Sequence, residues 1–134
     1  DRLKLRGIKL TKTLTSDLPL LQLDKEQIKT AFLNIIINAV EAMEENKGEL
    51  LISTHKTPDH IILEVQDNGK GIPEDEIRKL FDPFFTGKQG GMGLGLTSTQ
   101  NILNSHKAQI DVESEIGLGT TFKIYFNLKT EDDL

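Results

Sequence analysis

Three short stretches carry side chains able to do chemistry. In FLNIIINAVEAM, Asn34 and Asn38 are four residues apart, so at 100° per residue they stand one above the other on a helix, with Glu41 continuing the line. Amides set among isoleucines are costly to bury without partners, and a neutral amide oxygen suits Mg²⁺; the other reading is a solvated helix edge. In DNGKGIPEDEI, the strand before the loop puts Ile61, Leu63, Val65 and Asp67 on one face, so a carboxylate arrives where the next core residue is due. It needs donors, and the amino group of a bound adenine is one that a ligand supplies. Gly69 and Gly71 would let such a ligand lie close to the backbone. The alternative is an Asx turn capping its own loop.

The third stretch is GGMGLGL, Gly90 to Leu96, at the start of a helix. Backbone N–H groups there point outward at the positive end of the helix dipole, which favours phosphate; a flexible glycine linker is the alternative. Two better-known phosphate loops do not fit. Gly87-Lys88 is followed by Gln89, and Asp82 occupies the place of the first glycine of a Walker loop. A dinucleotide fold needs a strand directly before the glycines, and here Phe84, Phe85, Thr86 and Lys88 precede them.

The surrounding pattern supplies the elements that must position these residues. GIKLTKTLT, 7–15, reads as a strand, and SDLPLLQL as an extended or turn segment. Asp24 caps a helix, with Gln27 completing a capping box. Ile28, Phe32, Ile35, Ile36, Ala39, Val40 and Met43 recur at helical spacing to about Glu45, where Asn46-Lys47-Gly48 turns the chain. Glu49 to His55 and His60 to Gln66 form an antiparallel strand pair. Asn68-Gly69 resembles a hairpin turn, yet Pro73 at N1 and three acids begin a short helix instead. A helix from about Gly95 to His106 and strands 109–114 and 120–128 complete a single α/β domain over 1–134: a two-layer sandwich, one mixed sheet of about five strands with helices on one face.

Bulk properties exclude several classes. The length suffices for a core without staples, and the absence of cysteine removes disulfide scaffolds, zinc ribbons and thiol nucleophiles. A net charge of −5 with no basic block gives no footprint for nucleic acid or an anionic membrane. The most apolar run is far shorter than the roughly 20 residues of a membrane span. Any anionic ligand must be held by local devices.

Taken in order, these motifs resemble the ATP-binding catalytic domain of sensor histidine kinases, in the Bergerat-type ATPase superfamily. NIIINAVEAM is similar to the asparagine box, DNGKGI to the first glycine box, LFDPFF to the phenylalanine box and GGMGLGL to the second glycine box. The resemblance runs from GIKL to GTTFKIYF. It implies Mg²⁺ on Asn38 with Asn34 lining the same site, and an adenine amino group on Asp67 beside Gly69, Gly71 and Ile72. It further implies that the backbone of Gly91, Met92, Gly93, Leu94, Gly95 and Leu96 approaches the triphosphate, that Thr120 lies near the base, and that Phe81, Phe84 and Phe85 anchor a lid.

The same resemblance implies cofactors ATP and Mg²⁺ and transfer of the γ-phosphate to a histidine on a dimerisation and phosphotransfer domain of the same protein. A response regulator would act downstream, and the domain would be cytoplasmic, monomeric when isolated and without nucleic-acid partners. Two positions depart from the pattern. Hydrolytic relatives such as gyrase carry a glutamate one turn before the metal-binding Asn; Asn34 cannot act as a base, which favours transfer over hydrolysis. Glu41 stands where many histidine kinases have a basic residue, making Lys88 the expected phosphate-facing cation. His55, His60 and His106 have no phosphoacceptor context and are read as structural, the charge of His106 suiting a helix C-terminus. The phosphoacceptor is expected outside this chain, with DRLKLRG its trailing edge. An ATP-binding regulatory module or a related serine kinase would share every motif.

Overall fold

Asp24 opens the first long helix as its spacing predicts: its Oδ1 accepts from the Gln27 N–H at 3.1 Å. The reciprocal half of the capping box is not made by Gln27. The Asp24 N–H donates instead to Nε2 of His106, 3.1 Å away and 82 positions along the chain. The computed structural model describes residues 7–15, 23–81 and 92–128. The expectations for DRLKLR, for residues 16–22 and for Phe84, Phe85, Lys88 and Gly91 lie outside these.

The elements are β1 (Lys9–Thr13), α1 (Lys25–Ala42), β2 (Glu49–Lys56), β3 (His60–Asp67), α2 (Glu74–Ile77), α3 (Met92–Ser105), β4 (Gln109–Glu115) and β5 (Gly119–Asn127). The strands form one sheet in the order β1-β2-β3-β5-β4. β1 runs parallel to β2, and every other pair is antiparallel, so the sheet is mixed as expected. Insertion of β5 between β3 and β4 puts Asp67 opposite Thr120, and Thr120 opposite Ser114.

One face of the sheet is covered. Leu50, Val65, Phe122 and Ile124 from the strands pack with Ile35, Ala39 and Val40 of α1 and Leu96 and Leu103 of α3. Strand alternation and helical periodicity therefore meet in a single core. The other face mixes Leu51, Ile62 and Tyr125 with polar side chains, and there Lys123 on β5 bridges Glu64 on β3 and Glu113 on β4 at 3.9 and 3.6 Å. Glu113 first, and then Glu64, hold the Lys123 ammonium above its ordinary pKa.

The strand ends shift by up to two residues from the sequence reading, and three helix boundaries differ from it. α1 stops at Ala42, with Met43 already extended. Pro73 is the N-cap of α2 rather than its first helical residue, and the three acids do fill the first turn. α3 begins at Met92, three residues before the expected start, so the second glycine box supplies its first turn. Glycine disfavours helix by about 1 kcal/mol each, and the packing of Leu96, Thr99 and Leu103 overrides that local preference. Among the described residues no helix is long and apolar enough to cross a membrane.

Candidate functional site

The loop after β3 is fixed from three sides. Asn68 Oδ1 accepts from the Glu49 N–H at 2.8 Å, and Asn68 Nδ2 donates to the Lys47 carbonyl at 3.1 Å. The Lys70 N–H donates to the last α1 carbonyl, that of Ala42, at 3.0 Å, and the Lys70 carbonyl accepts from Gly117 at 2.9 Å. Ile72 donates its N–H to Ser114 Oγ at 2.8 Å. The loop is thus clamped between the end of α1 and the β4–β5 hairpin.

Those clamps explain both glycines. A Cβ on Gly69 would stand 2.5 Å from the Ala42 carbonyl oxygen. Gly71 has φ +80°, and a Cβ there would run into the Glu115 carbonyl. What lies against these positions is protein backbone, a requirement separate from any approach by a ligand.

Asp67 is 4 % exposed at the end of the covered-face register. Its Oδ1 accepts from Gly69 N at 2.8 Å and from Thr120 N at 3.2 Å. The first bond is the Asx turn that the sequence left as an alternative; the second reaches across to β5. Two backbone donors on one carboxylate oxygen hold the group in one orientation. Thr120, also 4 % exposed, stands beside it on the same face.

On α1, Asn34 and Asn38 are half-buried and Glu41 is exposed, so the amide stripe lies between core and solvent rather than at a fully solvated edge. Asn38 is one turn before Ala42, the residue against which Gly69 packs, and this brings the amide face and the aspartate loop to the same end of the fold. Among the described residues the Asn38 side chain has no hydrogen-bond partner. The first turn of α3 contributes the backbone of Met92, Gly93, Leu94 and Gly95. Leu96 turns into the core, and Ile72 packs against it. Phe81 is likewise partly buried against the core, and its carbonyl accepts from Thr97 Oγ1 at 3.3 Å.

Sequence reasoning passed over Ser114. Its signal was the same as that of Asp67: after Ile110 and Val112, the covered-face register of β4 delivers a hydroxyl. A depression of ≈ 250 Å³ also adjoins this region. Its lining includes Asp67, Ser114 and Thr120, together with Gln66, Glu113 and Thr121 of the opposite strand parity, and neither asparagine.

The three histidines occupy structural positions. His60 makes an edge-on contact with Tyr125 at 5.8 Å, and His55 lies 3.9 Å from Glu64. His106 uses both ring nitrogens: Nδ1 donates to the Ile102 carbonyl at 2.8 Å while Nε2 accepts from Asp24. The end of α3 is thus satisfied in part by a ring N–H of His106.

Comparison with known proteins shows the family. Residues 23–130 match the family model described as histidine kinase-, DNA gyrase B-, and HSP90-like ATPase. Sporulation kinase C of Bacillus subtilis is 39% identical over 108 residues, covering 81% of this chain and 25% of that protein. The signal transduction histidine-protein kinase AtoS of Escherichia coli is 41% identical over 112 residues, covering 83% and 18%. The chain thus spans a quarter or less of these relatives. Among solved structures, the catalytic domain of histidine kinase ThkA superposes with a TM-score of 0.83 at 28% identity, covering 94% of this chain and 82% of that one. The chain belongs to the histidine kinase-, DNA gyrase B-, and HSP90-like ATPase family, as an ATP-binding domain of the kind that histidine kinases carry.

Proposed function

We propose that this chain binds Mg-ATP and donates the γ-phosphate to a histidine on a dimerisation and phosphotransfer domain, from which a response regulator takes it. The observation that carries the reading is Asp67: a buried carboxylate, held by backbone N–H groups of Gly69 and Thr120, at the head of a loop that packs on Ala42 at the end of α1. Asp67 accepts from the adenine amino group, with Thr120 beside it. The N–H groups of the first turn of α3 face the phosphates. The roles of Lys88 and Gly91 toward the triphosphate rest on the sequence.

The residues present suit Mg²⁺. Among the described residues no cluster of three or more His, Cys, Asp or Glu side chains could hold a metal. Mg²⁺ commonly takes one or two protein oxygens and completes its shell with phosphates and water. Asn38, half-buried and without a hydrogen-bond partner among the described residues, offers one such oxygen. When bound, the metal would neutralise charge on the transferring phosphates.

Asn34 decides between transfer and hydrolysis. Activating water requires a base within reach of its proton, and an amide is not one. A neutral histidine acceptor needs no such base, because its free ring nitrogen is already nucleophilic; positioning and charge neutralisation suffice. The test is single-turnover transfer from γ-labelled ATP to an added phosphotransfer domain. Acid-labile label on that domain, with very slow turnover by the chain alone, is the expected result. Brisk hydrolysis by the chain alone, near the common enzyme scale of about 10 s⁻¹, overturns it.

A further inference from the structure

We infer that Ser114 is a positioning residue that sets the hydrogen-bond polarity of Thr120 and, through it, the choice of base; the inference rests on the adenine reading of Asp67. A serine hydroxyl has one proton to donate and two lone pairs to accept with. Ser114 Oγ accepts from Ile72 N at 2.8 Å, donates to the Gly119 carbonyl at 3.0 Å and stands 2.7 Å from Thr120 Oγ1. Its proton is spent on Gly119, so the short contact to Thr120 is a bond that Thr120 donates. All three capacities of Ser114 are then used.

The consequence falls on Thr120. Its hydroxyl proton is committed to Ser114 and its backbone N–H to Asp67 Oδ1, so the only polarity it has left is that of an acceptor. Asp67 is an acceptor as well. A wall made of two acceptors receives the amino group at the six-position of adenine and opposes the carbonyl that hypoxanthine carries there. Without the Ser114 hydroxyl, the Thr120 proton is free to turn toward such a carbonyl, and the wall loses its single polarity. Ser114 touches no ligand in this scheme; it acts through Thr120 and through the Ile72 N–H.

The experiment is titration calorimetry of the chain with adenosine and inosine triphosphates, in the presence of Mg²⁺. Ser114→Ala is expected to lower the preference for adenosine triphosphate about tenfold, the equivalent of one net hydrogen bond, and Ser114→Thr to return it to within about threefold of wild type. Equal loss for both nucleotides, or an unchanged ratio, in a folded Ser114→Ala protein overturns the inference. If that variant does not fold, Ser114→Cys, with a far weaker donor of similar shape, is read for the same ratio. Asp67→Asn run in parallel separates the two levels: preference lost there and kept in Ser114→Ala overturns the role of Ser114 alone, whereas preference kept in both overturns the adenine reading beneath it.

Discussion

The backbone N–H of Thr120 donates to Asp67 Oδ1 at 3.2 Å, so the residue that faces the carboxylate across the β3–β5 ladder is also one of the two groups that orient it. Asp67→Asn keeps the size of the side chain but replaces an acceptor-only group with one that also presents an NH₂. ATP affinity is expected to fall by about 1.5–3 kcal/mol, the scale of a hydrogen bond to a charged group. Calorimetry checks it, and an affinity equal to wild type rejects the role of Asp67.

Asn38 predicts a different signature, one confined to the metal. In Asn38→Ala the half-buried oxygen is gone, so most of the Mg²⁺-dependent part of ATP affinity should disappear while metal-free binding changes little. Asn38→Asp keeps an oxygen and should retain part of the effect. Titrations with and without Mg²⁺ measure the difference; an Ala variant with undiminished metal dependence would mean that the ligand is elsewhere.

The bridge from His106 to Asp24 ties the end of α3 to the start of α1. His106→Leu removes the acceptor of the Asp24 N–H and the donor to the Ile102 carbonyl. With each net hydrogen bond worth about 1 kcal/mol, and Asp24 exposed enough for water to replace part of it, the expected cost is about 1–2 kcal/mol. Urea unfolding reads this as a lower midpoint at unchanged slope; no change in midpoint would show that the bridge is incidental.

Lys123 gives a prediction in pH. Its folded-state pKa is raised above 10.5, mainly by Glu113. A raised basic group contributes stability that is complete below the unfolded value and is lost as pH climbs through the folded one. Stability should therefore show an alkaline fall above 10.5 that Lys123→Met lacks. The contribution is small and sensitive to salt, because the pairs lie on the uncovered face of the sheet. Matching alkaline curves for the two proteins would discount it.

Asp67 and the asparagines were legible because each breaks a local periodicity: a carboxylate at an inward position of a strand, two amides stacked on an apolar helix. Ser114 breaks the β4 register in the same way but is one hydroxyl in a strand of mixed character, and its meaning depends on Ile72, Gly119 and Thr120 arriving from elsewhere. The close neighbours of Gly69 and Gly71 were not legible at all, since Ala42 and Glu115 reach them only through tertiary packing. The same holds for His106, whose partner across the fold could not be read from its own neighbourhood. The start of α3 was misjudged by three residues because two glycines argue against helix locally, while burial of Leu96 and Thr99 argues for it globally.

Asp67 and Thr120 are 53 positions apart in the chain, with α2 and the glycine-rich start of α3 between them. Pairing β3 with β5 therefore closes one long loop as the protein folds. The entropy of closure grows only with the logarithm of loop length, so about ten residues added between Phe81 and Met92 would cost about 0.2 kcal/mol. The register that faces Asp67 with Thr120 is fixed by the ladder running back to His60 and Asn127, which does not depend on that length. Segments of very different size can therefore be exchanged between these strands, with the pairing of Asp67 and Thr120 left as it is.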